Sequence, residues 1–459
     1  MALSGTRDLT RGNTMRQVIA FALPVLIGVL FQQLYNFVDT AVVGRFLGAD
    51  KLGAVGSTGS INFLILGFCQ GVCSGFSVPV SQRFGAGDHS DMRRYVINSV
   101  YLTAVLGIVL GISTALLCPS ILSLMNTQTD LFDSSVAYIR IIFAAIPVTM
   151  VYNMAAGILR ALGDSRTPVY FLILAALINV ALDLLFIVSI GMDVDGAAVA
   201  TVISQAISGI GCVIVLLKKF TILRMYGDEK KYSRFHAVRL LSVGLPMGLQ
   251  FSITAIGAVV LQTSVNDISK EAVSAIAVGS KVSMLFGCMF DSLASTMATF
   301  AGQNLGAGKL KRIGKGLLDA SILGTVYSVI ATVILWTLGP TILSIFLDPV
   351  KEAEIVKMAT FFLRANSSLY IFLLFVNIVR LTIQGMGFTR VAMIAGLLEM
   401  IARSTVGLVF VPMLGFNAAA FANPSAWIAA DLFLFPCYFV LIRKARRRMA
   451  ESKPEPPVR

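Results

Sequence analysis

The chain has 459 residues, 56% of them hydrophobic and 13% charged, with a mean hydropathy of +0.83. A soluble domain carries roughly 25% charged residues, so there are too few charges here for a water-facing surface of this size, and an ordinary soluble enzyme is excluded. The net charge of +13 lies between apolar runs, which points to an anionic membrane face and not to nucleic acid.

A membrane-spanning helix needs about 20 mostly apolar residues. Twelve stretches meet that length, near 15–42, 53–82, 94–118, 132–159, 167–190, 195–217, 237–265, 272–301, 316–346, 355–382, 390–412 and 416–442. None alternates as a barrel strand would. The sequence therefore predicts an all-α integral membrane protein of twelve transmembrane helices. The first span is long and no small-residue cleavage site precedes it, so it reads as a retained anchor. Pro24 and Pro246 fall inside spans 1 and 7. Each removes a helical hydrogen bond and crowds the preceding turn, so a bend is expected at both.

The connections carry a strong charge bias. Alternate connections and the two ends hold 26 Lys and Arg; the remaining loops hold five, Arg45, Lys51, Lys270, Lys351 and Lys357. That bias places both termini in the cytoplasm, which requires an even number of spans. The tail from Arg443 to Arg459, rich in Lys, Arg, Glu and Pro, reads as a solvated, disordered end.

The halves repeat one another. Leu23-Pro24 corresponds to Leu245-Pro246, and Ala54-Val-Gly-Ser57 to Ala277-Val-Gly-Ser280. Gln82-Arg-Phe-Gly85-Ala-Gly87 corresponds to Gln303-Asn-Leu-Gly306-Ala-Gly308, Gly163-Asp-Ser-Arg166 to Gly387-Phe-Thr-Arg390, and Gly191 to Gly415. The offsets stay between 221 and 224. Six spans per half keep the halves in the same orientation, the pattern of a parallel repeat. The expected organisation is a cytoplasmic N-terminus (1–14), a six-helix lobe (15–217), a cytoplasmic linker (218–235), a second six-helix lobe (236–442) and a basic tail (443–459). Two pseudo-symmetric six-helix bundles around a central cavity are the architecture of a transporter that opens alternately to either side.

The first-span proline, the Gln-x-x-Gly-Ala-Gly loops after spans 2 and 8, and the stretches Asn36-Phe-Val-Asp39-Thr and Asn179-Val-Ala-Leu-Asp183 together resemble the multidrug and toxic compound extrusion (MATE) family, across about 15–442. The resemblance implies a cation site at Asp39, Asn153, Asn179, Asp183 and Thr201.

The residues support such a site independently. Ionisable groups inside a span are costly and mark function by default. Gln32, Asn36 and Asp39 share one face of span 1; Asn179 and Asp183, and Thr201 with Gln205, are each one turn apart. Two nearby carboxylates split their titrations, so one can carry a proton; the same oxygens also suit Na⁺. The competing reading is an interhelical hydrogen-bond network that only holds the bundle together. Gln32, Tyr35, Asn36, Gln205 and Asp291 are assigned to a substrate cavity. Asp291 leaves two readings open, contact with a cationic substrate or pairing with Lys281 or Arg380. The second half has no acid where the repeat places Asp39 (Leu261) or Asp183 (Gly407). Glu399 with Arg403 one turn later reads as an internal ion pair.

The function expected is a secondary antiporter of the cell membrane. It exports organic, cationic and lipophilic compounds in exchange for H⁺ or Na⁺, with no cofactor, no enzymatic activity and no metal beyond Na⁺ at Asp39 and Asp183, working as a monomer. The alternative is a flippase for a lipid-linked saccharide of the same wider superfamily, kept open by Arg364, Arg380 and Arg403. A phosphate loop at Gly302–Lys309 is rejected on spacing and on Leu310 in place of Ser/Thr. The two histidines and six cysteines form no catalytic, metal or disulfide pattern.

Overall fold

The computed structural model describes residues 7–125 and 127–451; the tail residues 452–459 lie outside them. The described residues are helical, with no strand. In chain order the helices are α1 (Thr14–Phe46), α2 (Ala49–Ser57), α3 (Gly59–Ala86), α4 (His89–Leu124), α5 (Thr129–Ala144), α6 (Ile146–Ala161), α7 (Arg166–Asp183), α8 (Val194–Lys219), α9 (Arg234–Asn266), α10 (Lys270–Gly306), α11 (Leu310–Leu343), α12 (Ala353–Ser368), α13 (Tyr370–Gly385), α14 (Thr389–Thr405), α15 (Val411–Leu414) and α16 (Phe416–Glu451). Ten stretches are long and apolar enough to cross a membrane, and the pairs α5–α6 and α12–α13 each make one broken span, giving up to twelve.

The repeat is visible in the irregularities. Span 4 breaks at Ala145 with a bend of 47°, and span 10 breaks at Leu369 with a bend of 51°. Pro147 in the first turn of α6 accounts for the first break, since it lacks an N–H and disfavours helix before it. At the second, Ser367 and Ser368 both donate their hydroxyls to the Arg364 carbonyl, competing with the backbone ladder. Spans 5 and 11 both open into a π-helical turn, at Leu184–Ser189 and Val406–Phe410. The repeat-related turns at Gly163 and Gly387 hold left-handed backbone, φ +90° and +87°, which favours glycine. A Cβ on Gly163 would also lie 2.1 Å from the Arg7 carbonyl oxygen.

The breaks in the helical ladder therefore fall at positions the sequence reading does not single out. Pro24 and Pro246 sit inside helices that continue unbroken through them, while the broken spans are 4 and 10. The tail also differs from expectation. Helix α16 runs on to Glu451, so 443–451 is ordered helix, as a Lys/Arg-rich C-terminal turn favours.

The chain divides into two compact units, one of residues up to Asp8, Leu23–Phe84 and Asp88–Ser252, the other of Leu9–Ala22, Gly85–Gly87 and Ile253 onward. Their edges differ from the expected lobes because α1 and α9 change unit partway along. In the first unit, Gly244 and Gly248 of α9 meet Phe76 and Val72 of α3. In the second, the Leu9 N–H donates to Gln303 Oε1 (2.9 Å) and Ser292 Oγ donates to the Ala22 carbonyl (2.6 Å). The first unit has one large apolar core running from Val42 to Leu240. The second packs Leu261, Ile276, Phe362 and Ala419 among others.

The connector between α8 and α9 is held to α4 of its own unit. Arg93 donates from Nε and Nη2 to Glu229 at 2.6 Å each, Ser90 Oγ donates to Glu229 (2.7 Å), and the Ser233 N–H donates to Asn98 Oδ1 (2.9 Å). His236 Nε2 lies 2.8 Å from Asp91 Oδ1.

Candidate functional site

In the first unit, α1, α3, α5, α6 and α8 enclose a pocket of about 110 Å³. Helix α1 contributes Tyr35, Asn36 and Asp39, and α8 contributes Thr201, Val202 and Gln205. Asn62, Tyr138 and Thr149, none singled out from the sequence, complete the polar lining. Thr149 Oγ1 donates to Gln205 Oε1 (2.6 Å), which fixes that amide.

Asn179 and Asp183 lie one turn apart on α7, 1% and 0% exposed. Asn179 Nδ2 donates to Thr201 Oγ1 at 3.4 Å, and Asp183 is an electrostatic neighbour of Asp39. Asp183 closes α7 where the π-helical turn begins. Such turns often accompany functional sites. The apolar run around Asp183 hides its surroundings from a sequence reading, but the acid itself is legible.

The lining carries donors on Tyr35, Tyr138, Asn62 and Gln205, yet several acceptor oxygens go without one. Asp39 Oδ1, Asn62 Oδ1, Asn179 Oδ1 and both Asp183 carboxyl oxygens are buried and receive no N–H or hydroxyl donor from the described residues; the Asp39 and Asp183 carboxyls meet each other, a contact that needs a proton on one of the two. A buried polar group left without a partner costs free energy, and five acceptor oxygens with no donor are the environment a proton or a hard cation satisfies.

Not every residue expected here joins the lining. Asn153 is half-buried and spends its Nδ2 on the Thr149 carbonyl one turn earlier (2.9 Å). Gln32 is exposed on α1 a turn before Asn36. Asp291 belongs to the second unit, where it is exposed on α10 and makes no ion pair among the described residues; its electrostatic neighbour is Arg380, not Lys281.

The expected Glu399–Arg403 pair is corrected. Glu399 accepts from Arg380 Nη1 at 2.6 Å, both side chains under 10% exposed. Arg403 instead donates from Nε to Asn423 Oδ1 (3.1 Å) and from Nη1 to the Thr254 carbonyl (3.4 Å). Sequence spacing sees partners on the same helix, but the nearer guanidinium arrives from α13. A residue that the sequence reading passed over, Asp431 on α16, is 3% exposed with neither carboxyl oxygen hydrogen-bonded. A lone acid within an apolar run was the available signal.

A sequence model of the MatE family matches residues 24–185 and 246–413, one segment in each half of the repeat. The chain is 28% identical over 345 residues to a probable multidrug resistance protein, YpnP, of Bacillus subtilis (strain 168), covering 74% of this chain and 76% of that one. It is 25% identical over 307 residues to an FAD transporter of Shewanella oneidensis, covering 66% and 68%. Among solved structures, MATE in complex with MaL6 superposes with a TM-score of 0.90 at 21% identity, covering 96% of this chain and 99% of that one.

Proposed function

The chain belongs to the MatE family of membrane transporters, and from that premise we propose that it exports organic, cationic and lipophilic compounds across the cell membrane in exchange for an inward-moving H⁺ or Na⁺. The observation that carries this reading is the unpartnered oxygen set around Asp39 and Asp183. Only a group whose charge comes and goes with a proton or cation justifies burying two carboxylates together. In the cycle proposed, the ion binds at these carboxylates with help from Asn179 and Thr201, and the organic compound occupies space lined by Tyr35, Asn36 and Gln205. Pro24 and Pro246 serve as the bending points of the alternation between states. Both termini lie in the cytoplasm, supported by the charge bias of 26 against five.

The Bacillus relative is a probable multidrug resistance protein and the Shewanella one an FAD transporter. The arginines favour the first. Arg380 is paired with Glu399, and Arg403 is hydrogen-bonded inside its unit, so neither is free to receive a polyanion. The same commitment weakens the lipid-linked saccharide alternative.

The test is transport by the purified protein in proteoliposomes, with a pH gradient or a Na⁺ gradient imposed one at a time and a lipophilic cationic dye as cargo. Dye movement is expected under one gradient. Movement that ignores both, or that requires ATP, overturns the reading.

A further inference from the structure

Two arginines lie inside the spans, face outward, and meet no acid of the protein among the described residues. Arg140 is eleven residues into α5 and Arg364 eleven residues into α12, about 16 Å along each helix. Their numbers differ by 224, the offset of the repeat, so the fold places a cation at the same point twice. Both are exposed.

The surroundings identify what they face. Arg364 lies over the Trp336 ring, 5.5 Å from its centroid, and donates from Nη2 to the Trp336 carbonyl at 3.0 Å. Trp336, itself 48% exposed, belongs to an outward apolar row of α11 that includes Val326, Ile330 and Val333. Its Nε1 donates to Ser368 Oγ, which fixes the ring against α12. Arg140 sits beside Cys118 of α4, whose thiol contacts the Val136 carbonyl of α5. On the same turn of α4, Leu116 and Leu117 are 74% and 55% exposed. Each arginine therefore opens beside a helix face that only hydrocarbon suits.

A guanidinium facing lipid is costly unless it reaches a polar group, which long side chains do by extending toward the interface. Trp side chains collect at that level. With the protein supplying no carboxylate, the anion available there is a phosphate, and the planar fork of arginine matches phosphate oxygens two at a time.

We propose that Arg140 and Arg364 are repeat-related binding sites for the headgroup phosphate of an anionic phospholipid, one on each half of the chain. Arg364 is the stronger site, because Trp336 already fixes its guanidinium and less freedom is lost on binding. Arg140, with no acceptor among the described residues, is the weaker. The lipid sites are independent of the export reading, since they use none of its residues.

Native mass spectrometry of the detergent-solubilised full chain tests this, with phosphatidylglycerol, phosphatidylcholine or inorganic phosphate added. The expected result is two retained phosphatidylglycerol molecules. Arg140→Gln and Arg364→Gln each remove one with a loss of about tenfold in affinity, as expected for a charge-assisted contact, and the double variant removes both. Phosphatidylcholine binds more weakly at both sites, and inorganic phosphate displaces nothing. Thermal melting in the same detergent checks folding and gives a second reading. Phosphatidylglycerol should raise Tm in the wild type and not in the double variant. Arg364→Lys, which keeps the charge and loses the fork, should retain its lipid less well than wild type. Unchanged lipid retention in the folded double variant, loss in only one single variant, or equal displacement by free phosphate would overturn the proposal.

Discussion

Asp183 is the residue on which coupling turns. Its side chain is fully buried, no N–H or hydroxyl of the described residues reaches its two oxygens, and the Asp39 carboxyl is its neighbour. Asparagine is close to isosteric with aspartate but cannot titrate. Asp183→Asn and Asp39→Asn should each fold, bind dye, and lose gradient-driven transport in proteoliposomes; full gradient-dependent transport by both would remove coupling from this site. Glu399→Gln tests a different role. It leaves Arg380 buried without its partner, and breaking one side of a buried pair costs about 3–5 kcal/mol. The measurable result is a much lower Tm, largely restored by adding Arg380→Gln; an unchanged Tm would mean the pair is not structural. Spacing along one helix made Asp39, Asn179 and Asp183 legible, because residues three, four and seven apart share a face. It could not reveal Arg380 as the partner of Glu399, which arrives from another helix. Nor could it show that Asn153 would spend its amide on its own helix.

At the scale of elements, helix identity and extent were legible because long apolar runs leave the backbone no alternative in lipid. The breaks at Ala145 and Leu369 were not, since they depend on Pro147 at the first and on competition for the Arg364 carbonyl at the second, and not on hydropathy. Pro24 remains the element-level candidate for motion. Pro24→Ala restores a helical hydrogen bond and should fold with equal or higher Tm but transport more slowly at matched expression; wild-type turnover would leave the proline a structural role only. The connector held to α4 offers a pH test outside the spans. The Arg93 guanidinium, aided by Ser90 and the Tyr226 N–H, holds the Glu229 carboxyl down to about 2 from its ordinary value of 4.5. A depressed carboxyl contributes its stability above the ordinary value and loses it as pH falls toward the lower one. The connector should therefore stay protected through neutral pH and loosen between about 4.5 and 2, read by hydrogen exchange of residues 224–232. Glu229→Gln should show the same loosening at pH 7 as faster tryptic cleavage at Arg224, Lys230 and Lys231. Equal cleavage of both proteins would mean that this pair does not hold the segment.

For the whole molecule, the internal repeat carried most of what could be read in advance. An offset of 221 to 224 across five motifs implies six spans per half, and the broken and π-helical spans recur at matching positions. What the repeat could not give is where each compact unit ends, because α1 and α9 leave one set of packing partners for another partway along their length. Topology is where the repeat and the charge bias make one joint claim. Like-oriented halves of six spans require the connector and both ends to share a side, and 26 positives against five predict that this side is the cytoplasm. Five of the six native cysteines are buried and Cys437 is half-buried, so a thiol reagent that cannot cross membranes should give little background on whole cells. A single cysteine placed at Lys230 should then stay unlabelled from outside and react after permeabilisation, whereas one at Asp130, in the first turn of α5, should react directly. If Lys230 is labelled in intact cells and Asp130 is not, the orientation is inverted. If both are labelled, the parallel repeat itself fails, because no even division into six spans would put them on the same side.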